Sequence, residues 1–271
     1  MIPETGSATE GRTGAAYSYL SQVSRLLRGA VENNTEQLRL ATQTCAAAIA
    51  DGGLVHLFGV GHSALPVLEL FPRYGSYLGF NPVADPRLLW SGVSTPGGVP
   101  GMRFLEHADG YAEVLLRSVP LARGDVLVVF SHGLRSTIVR QAIAHARRRG
   151  CSVVAISSSQ AMQQGIQQAT RQPLPPGAEA APDGPDIVLD TGVPASDTLV
   201  DITGAVSGIG AGSTVLATAL GLALVCAVGE ELIARGHDLV QSVRTGGGLG
   251  ESDWAFYEGF EERLRQSWAR V

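Results

Sequence analysis

Three short stretches of this sequence carry residue types suited to gripping an oxyanion. They are Gly59-Val60-Gly61-His62-Ser63, Ser131-His132-Gly133-Leu134-Arg135-Ser136-Thr137 and Gly208-Ile209-Gly210-Ala211-Gly212-Ser213-Thr214. Glycine lets backbone N–H groups approach a ligand closely, and the hydroxyls donate to oxygen. All three stretches lead into a helical pattern, where the positive end of the helix dipole adds to the attraction. Ser63 stands where a helix N-cap belongs, its hydroxyl available to the first turn or to a ligand oxygen. Arg135 offers a bidentate contact to a phosphate. Each feature also has a plain structural counterpart: a serine-capped βα turn, a solvent-facing arginine, a loop histidine at 132 bonded to backbone, or a flexible loop with a Ser/Thr cap.

The elements that must position these turns are legible as hydrophobic patterns. Leu54–Phe58, Val126–Phe130 and Val153–Ser157 are short apolar runs of the kind that form buried strands of a parallel sheet. Further strands are expected at Asp186–Asp190 and Thr198–Val200, and a short extended segment at Gly79–Val83. Helical spacing runs through Ala15–Asp51 (one long helix or a broken pair), Ala64–Tyr74, Phe104–Val119, Ile138–Arg149, Ser213–Arg235 and Trp254–Trp268. Pro86–Met102 and Gln160–Pro185, rich in proline, glycine or glutamine, read as loops. Met1–Gly14 reads as a disordered N-terminus, and residues 15–271 as one domain. Two parallel strands, each followed by a hydroxyl-rich turn, present both turns at one edge of the sheet. A doubly wound α/β domain is the expectation.

Composition removes several classes of chemistry. The chain has 271 residues, 45% of them apolar, enough for one large core. Its formal net charge of −5 argues against nucleic acid or an anionic membrane as a main partner. Lysine is absent, which excludes a Schiff base and a P-loop lysine. Cys45, Cys151 and Cys226 are widely spaced in apolar patterns and read as buried hydrophobes in a reducing, cytoplasmic setting. No apolar leader is visible at the N-terminus, and the apolar Ser213–Ile233 segment reads as a core helix. The histidines are scattered and show no metal-ligand spacing. A dinucleotide site is the main rival, since Gly59-x-Gly61-x-x-Ala64 fits its loose fingerprint. Its acidic residue belongs at the end of the next strand, whereas Asp85 lies beyond Asn81-Pro82, so no cofactor is expected.

Together, FGVGHS followed by an NP segment, EHADGYAEVLL ahead of GDVLVVFS, and GAGST opening a long helix resemble the SIS (sugar isomerase) domain family. The likeness runs from about Ala15 to the C-terminus, toward its single-domain bacterial phosphosugar-binding branch. It implies a three-layer, flavodoxin-like fold with a five-stranded parallel sheet, and homodimers or homotetramers. It also implies a sugar phosphate held by residues of these loops, chiefly their serines and threonines: Gly61, His62, Ser63, Ser131, His132, Arg135, Ser136, Thr137, Ser213 and Thr214. Many members interconvert aldose and ketose phosphates through an enediol.

Two departures stand out. The family's second loop usually reads Ser-x-Ser-Gly, and here it reads Ser131-His132-Gly133-Leu134, with a leucine expected to crowd the phosphate. The histidine that relatives carry after the last glycine turn is replaced by Gly250-Glu251-Ser252-Asp253. Enediol chemistry needs a base. Glu69, beyond the first anion loop, and Glu251 or Asp253 are the candidates. A binding or sensing protein without catalysis is the alternative.

Overall fold

The computed structural model describes residues 14–71, 73–89, 92–94, 97–169, 184–241 and 251–271. The stretch 1–13, expected to be disordered, and the glycine run 246–250 lie outside the described residues. Five strands form one parallel sheet: β1 (Val55–Gly59), β2 (Phe80–Val83), β3 (Val126–Phe130), β4 (Ser152–Ser157) and β5 (Ile187–Asp190). Their order is β2-β1-β3-β4-β5, so the winding reverses between β1 and β3. Every residue of β1 and β3 is buried. That is why these strands read as apolar runs without a polar face.

Alternate residues of each strand feed two cores. Val55, Leu57, Val126, Val128, Phe130, Val154 and Ile156 meet α1 (Gly14–Asn33), α2 (Thr35–Ala50), α3 (Leu65–Leu70), α8 (Ser213–Ala234) and α9 (Glu251–Trp268). Phe58, Leu127, Val129 and Val153 meet α4 (Val99–His107), α5 (Tyr111–Leu116) and α6 (Thr137–Arg148). The result is the three-layer doubly wound α/β architecture.

Several elements differ from their sequence patterns. The first helical stretch is a broken pair, α1 and α2, parted at the buried Asn34. The Asn34 side chain donates to the Ala30 carbonyl (2.8 Å) and the Asp190 carbonyl (2.9 Å) and accepts from the Asp190 N–H (2.6 Å). The break thus locks the carboxyl end of β5. Phe104–Val119 is likewise two helices, turned at Gly110 with φ 75°. The expected loop from Gln160 begins instead as α7 (Ser159–Ala169), whose first N–H is capped by Asp190 Oδ1 at 3.0 Å. Thr198–Val200 (β6) stays out of the main sheet and pairs antiparallel with β7 (Ile209–Ala211).

The apolar α8 is long enough to cross a membrane by length and composition, but half of its most apolar window is buried inside this fold. It packs on α2 and α3. Beneath the sheet, at the amino end of the strands, lies a closed polar cluster. His56 Nε2 is 3.2 Å from Asp125 Oδ2 and its Nδ1 is 2.9 Å from Asn81 Nδ2. Asp125 also accepts the N–H groups of Leu54 (3.1 Å) and Ala122 (2.9 Å) and pairs with Arg270 (3.2 Å).

Candidate functional site

At the opposite, carboxyl edge a cleft opens where the winding reverses, the position at which doubly wound sheets bind ligands. It is lined by Ser63, Pro66, Ser131, His132, Ile156, Thr191, Ser213, Thr214 and Ala217. Hydroxyls thus converge from the β1 loop, the β3 loop, the β5 end and the start of α8.

The β1 loop reaches the cleft through a tight 3-10 turn, Gly61–Ala64. A side chain at Gly59 would sit 2.0 Å from the Ser63 carbonyl oxygen, so the turn folds back onto the strand only because residue 59 is glycine. Gly61 takes φ 60°. This geometry corrects the capping role expected of Ser63. Ser63 lies inside the 3-10 turn, the N-cap position of α3 is Ala64, and neither turn nor helix has a side-chain cap bond. The Ser63 hydroxyl is therefore not spent on its helix.

In the β3 loop, Leu134 occupies the left-handed region (φ 53°), the conformation a glycine would adopt without strain. Its N–H donates to Ser131 Oγ at 3.1 Å. The sequence led to the expectation that the Leu134 side chain crowds the cleft; instead it is absent from the described lining and packs against the α4–α6 core. After this turn the chain leaves the cleft. Arg135 is exposed, its stem laid against Gly133 and Gly165, while Ser136 is the N-cap position of α6 and Thr137 its first residue. Gly61, His62, Arg135, Ser136 and Thr137 are thus not among the described lining residues, whereas Ser63, Ser131, His132, Ser213 and Thr214 are. Thr191 was missed. Its one signal was its place directly after the apolar run of β5, where strand ends supply site residues.

His132 is fixed at several points. Its carbonyl accepts from Ser158 N–H (3.0 Å) and Ser157 Oγ (3.1 Å), and its ring Nε2 lies 3.3 Å from the Ala195 carbonyl. A carbonyl only accepts, so Nε2 carries the proton and Nδ1 keeps a lone pair. That Nδ1 is buried with no hydrogen-bond partner.

The start of α8 is already occupied by a carboxylate. Asp197, itself at φ 63°, accepts from Gly212 N–H (3.2 Å) and Ser213 N–H (2.8 Å), and from Ser213 Oγ (2.8 Å). Ser213 is therefore tied to a protein anion, and the next first-turn donors, at Thr214 and Val215, have no intrahelical acceptor.

The carboxylates expected as bases stand elsewhere. Glu69 is on the outer side of α3, ion-paired with Arg73 one turn on, about half exposed. It is absent from the described cleft lining because the helical period turns position 69 away from the buried Pro66, Val67 and Leu70. Glu251 is the exposed first residue of α9. It is not among the described lining residues of the cleft. Asp253 is buried in α9.

With this geometry in hand, comparison with known proteins is direct. The sequence profile of the SIS domain matches residues 18–158. A UPF0309 protein of Streptomyces avermitilis is 30% identical over 239 residues, covering 88% of this chain and 91% of its own length. A UPF0309 protein of Listeria monocytogenes is 27% identical over 184 residues, covering 68% and 70%. Among solved structures, a phosphoheptose isomerase from Francisella tularensis superposes with a TM-score of 0.51 at 12% identity, covering 79% of this chain and 96% of that one. Profile, relatives and sheet order agree, and the chain belongs to the SIS domain family.

Proposed function

We propose that the cleft binds a sugar phosphate and that the chain isomerises it between aldose and ketose forms through an enediol. The observation that carries this reading is the convergence of Ser63, Ser131, Thr191, Ser213 and Thr214 from four separate chain segments on one cleft. A ring of neutral donors at the carboxyl edge of a parallel sheet suits a phosphate, whose oxygens each accept several hydrogen bonds. Pro66, Ile156 and Ala217 give the same cleft an apolar wall, suited to carbon-bound hydrogens. A phosphoheptose isomerase shares the fold, and the family supports a phosphosugar as ligand.

A binding protein without catalysis is the second reading. It is favoured by Asp197, whose carboxylate takes donors at α8 that a phosphate would otherwise use. In either case the chain acts in the cytoplasm. It assembles as a homodimer or homotetramer through α1 and the outer face of α8, where Val215, Cys226 and Ile233 are exposed. Light scattering at micromolar concentration gives a multiple of 28.3 kDa, and a monomer there removes the interface.

The phosphate site is tested by Ser63→Ala. Because this hydroxyl caps nothing, the variant keeps the parent's thermal midpoint. A charge-assisted bond to phosphate contributes about 1.5–3 kcal/mol, and calorimetric titration with sugar phosphates of five to seven carbons shows that loss. Equal affinity in variant and parent excludes Ser63 from the site.

A further inference from the structure

We infer that His132 Nδ1 is the proton-accepting group of the cleft, the base of an enediol isomerisation. This rests on the isomerase reading above and goes beyond it by naming the residue. Of the described residues lining the cleft, His132 is the only one with a nitrogen base in its side chain; the others are hydroxyl or apolar. The carboxylates that sequence alone nominated are not among those lining residues: Glu69 is in an ion pair on the outer side of α3, and Glu251 is the exposed first residue of α9.

Tautomer and orientation are set by the protein rather than by the ligand. The Ala195 carbonyl holds the proton on Nε2, and the backbone of residue 132 is pinned by Ser157 and Ser158. What remains is a buried lone pair at Nδ1 that no protein donor satisfies. Among the described residues Thr42 Oγ1, His145 Nε2, Arg147 Nε and Ser267 Oγ are also buried without a partner, and what sets His132 Nδ1 apart is that its residue lines the cleft. The same Nε2–H···O=C bond supports the imidazolium once Nδ1 has taken a proton, as an orienting acceptor does for a general base.

The step balances without a cofactor. Nδ1 takes the proton from the carbon beside the aldose carbonyl, and the C–H electron pair forms the carbon–carbon double bond of the enediolate. The former carbonyl oxygen takes up the proton of the neighbouring hydroxyl. That neighbour becomes the ketose carbonyl as the imidazolium returns its proton to the first carbon. The wall hydroxyls of Ser131 and Thr214 are the available donors to the enediolate oxygens.

His132→Gln is the informative variant, because the glutamine amide N–H reaches the position of Nε2 and keeps the donor to Ala195 while deleting the base. Ribose 5-phosphate, glucose 6-phosphate and sedoheptulose 7-phosphate are each incubated in D₂O with the parent, His132→Gln, Glu69→Gln and Glu251→Gln, and deuterium at carbon is read by proton NMR. We expect the parent to exchange one of them. His132→Gln then slows exchange by about 10²–10⁴-fold, with calorimetric affinity and thermal midpoint close to the parent's, while the two carboxylate variants exchange as the parent does. Exchange by His132→Gln at the parent rate, or its loss in Glu69→Gln or Glu251→Gln instead, overturns the assignment and leaves the isomerase reading intact. If the parent binds a sugar phosphate and exchanges none of the three, both the isomerase reading and the assignment fall.

Discussion

Two histidines on neighbouring strands show how one sheet treats its two edges. His56, second residue of β1, is fully buried, and both ring nitrogens have partners in Asp125 and Asn81. His132, just past the end of β3, is half-buried, with one nitrogen bonded to a backbone carbonyl and the other left with nothing. At the amino edge, Asp125 and Asn81 satisfy both nitrogens of the His56 ring inside the protein. At the carboxyl edge, the loops diverge from the reversal between β1 and β3, and an atom can be kept for a ligand. The closed cluster holds the fold, and the open one is where we place the chemistry.

The sharpest break of this division is to damage each cluster in turn and compare. Asp125→Ala strands His56 Nε2 and the Leu54 and Ala122 N–H groups, and takes the ion-pair partner from Arg270. Removing one partner of a buried charged network costs about 3–5 kcal/mol, so denaturant unfolding at pH 7 shows a loss of that size. His132→Gln keeps its one ring hydrogen bond and changes stability by less than about 1 kcal/mol. Comparable losses in the two variants erase the distinction.

Acid gives the same contrast a second axis. Burial pushes the Asp125 carboxyl up, but the hydrogen bonds from His56, Ala122 and Leu54 outweigh it and hold its pKa below the ordinary value. A carboxyl whose folded pKa is depressed contributes stability above its unfolded value, near 4, and loses it as pH falls through the folded one. The gap between parent and Asp125→Ala therefore narrows below about pH 4. A gap that stays constant down to pH 2 contradicts this account.

The smallest effect concerns a third histidine, which tests whether an unpartnered nitrogen alone signals function. His145 in α6 is buried, its Nε2 also has no partner, and it is absent from the described cleft lining. Burial, then the nearby Arg148 and Arg149, lower its pKa, so it stays neutral in the fold while the unfolded chain binds a proton below about pH 6.5. Stability is thus lost as pH falls through that value toward the folded one. His145→Leu removes this slope between pH 7 and 5 and leaves deuterium exchange unchanged. A variant that keeps the parent slope shows that His145 does not carry it.

What sequence determined by itself was whatever is set locally or by repetition. Apolar runs such as Val126–Phe130 announce strands buried on both faces, glycine with hydroxyls announces a ligand turn, and together they fix the family and the sheet. Even the family's departures were visible, since Leu134 stands where glycine is usual. Their consequence was not. Whether Leu134 blocks the cleft depends on which way a left-handed residue sends its side chain, and here the α4–α6 core receives it.

Contacts between distant segments were beyond reach for the same reason. Asp197 sits 16 residues before the α8 donor it occupies, and Ala195 lies 63 residues from the ring it orients. No local pattern encodes such pairs, because they arise only when strand order brings the β3 loop, the β5 end and α8 to one edge. The carboxylates misled because a glutamate near a loop in sequence looks available. Only tertiary structure decides which face of its helix meets the cleft, since a rotation of about 100° per residue separates lining from solvent.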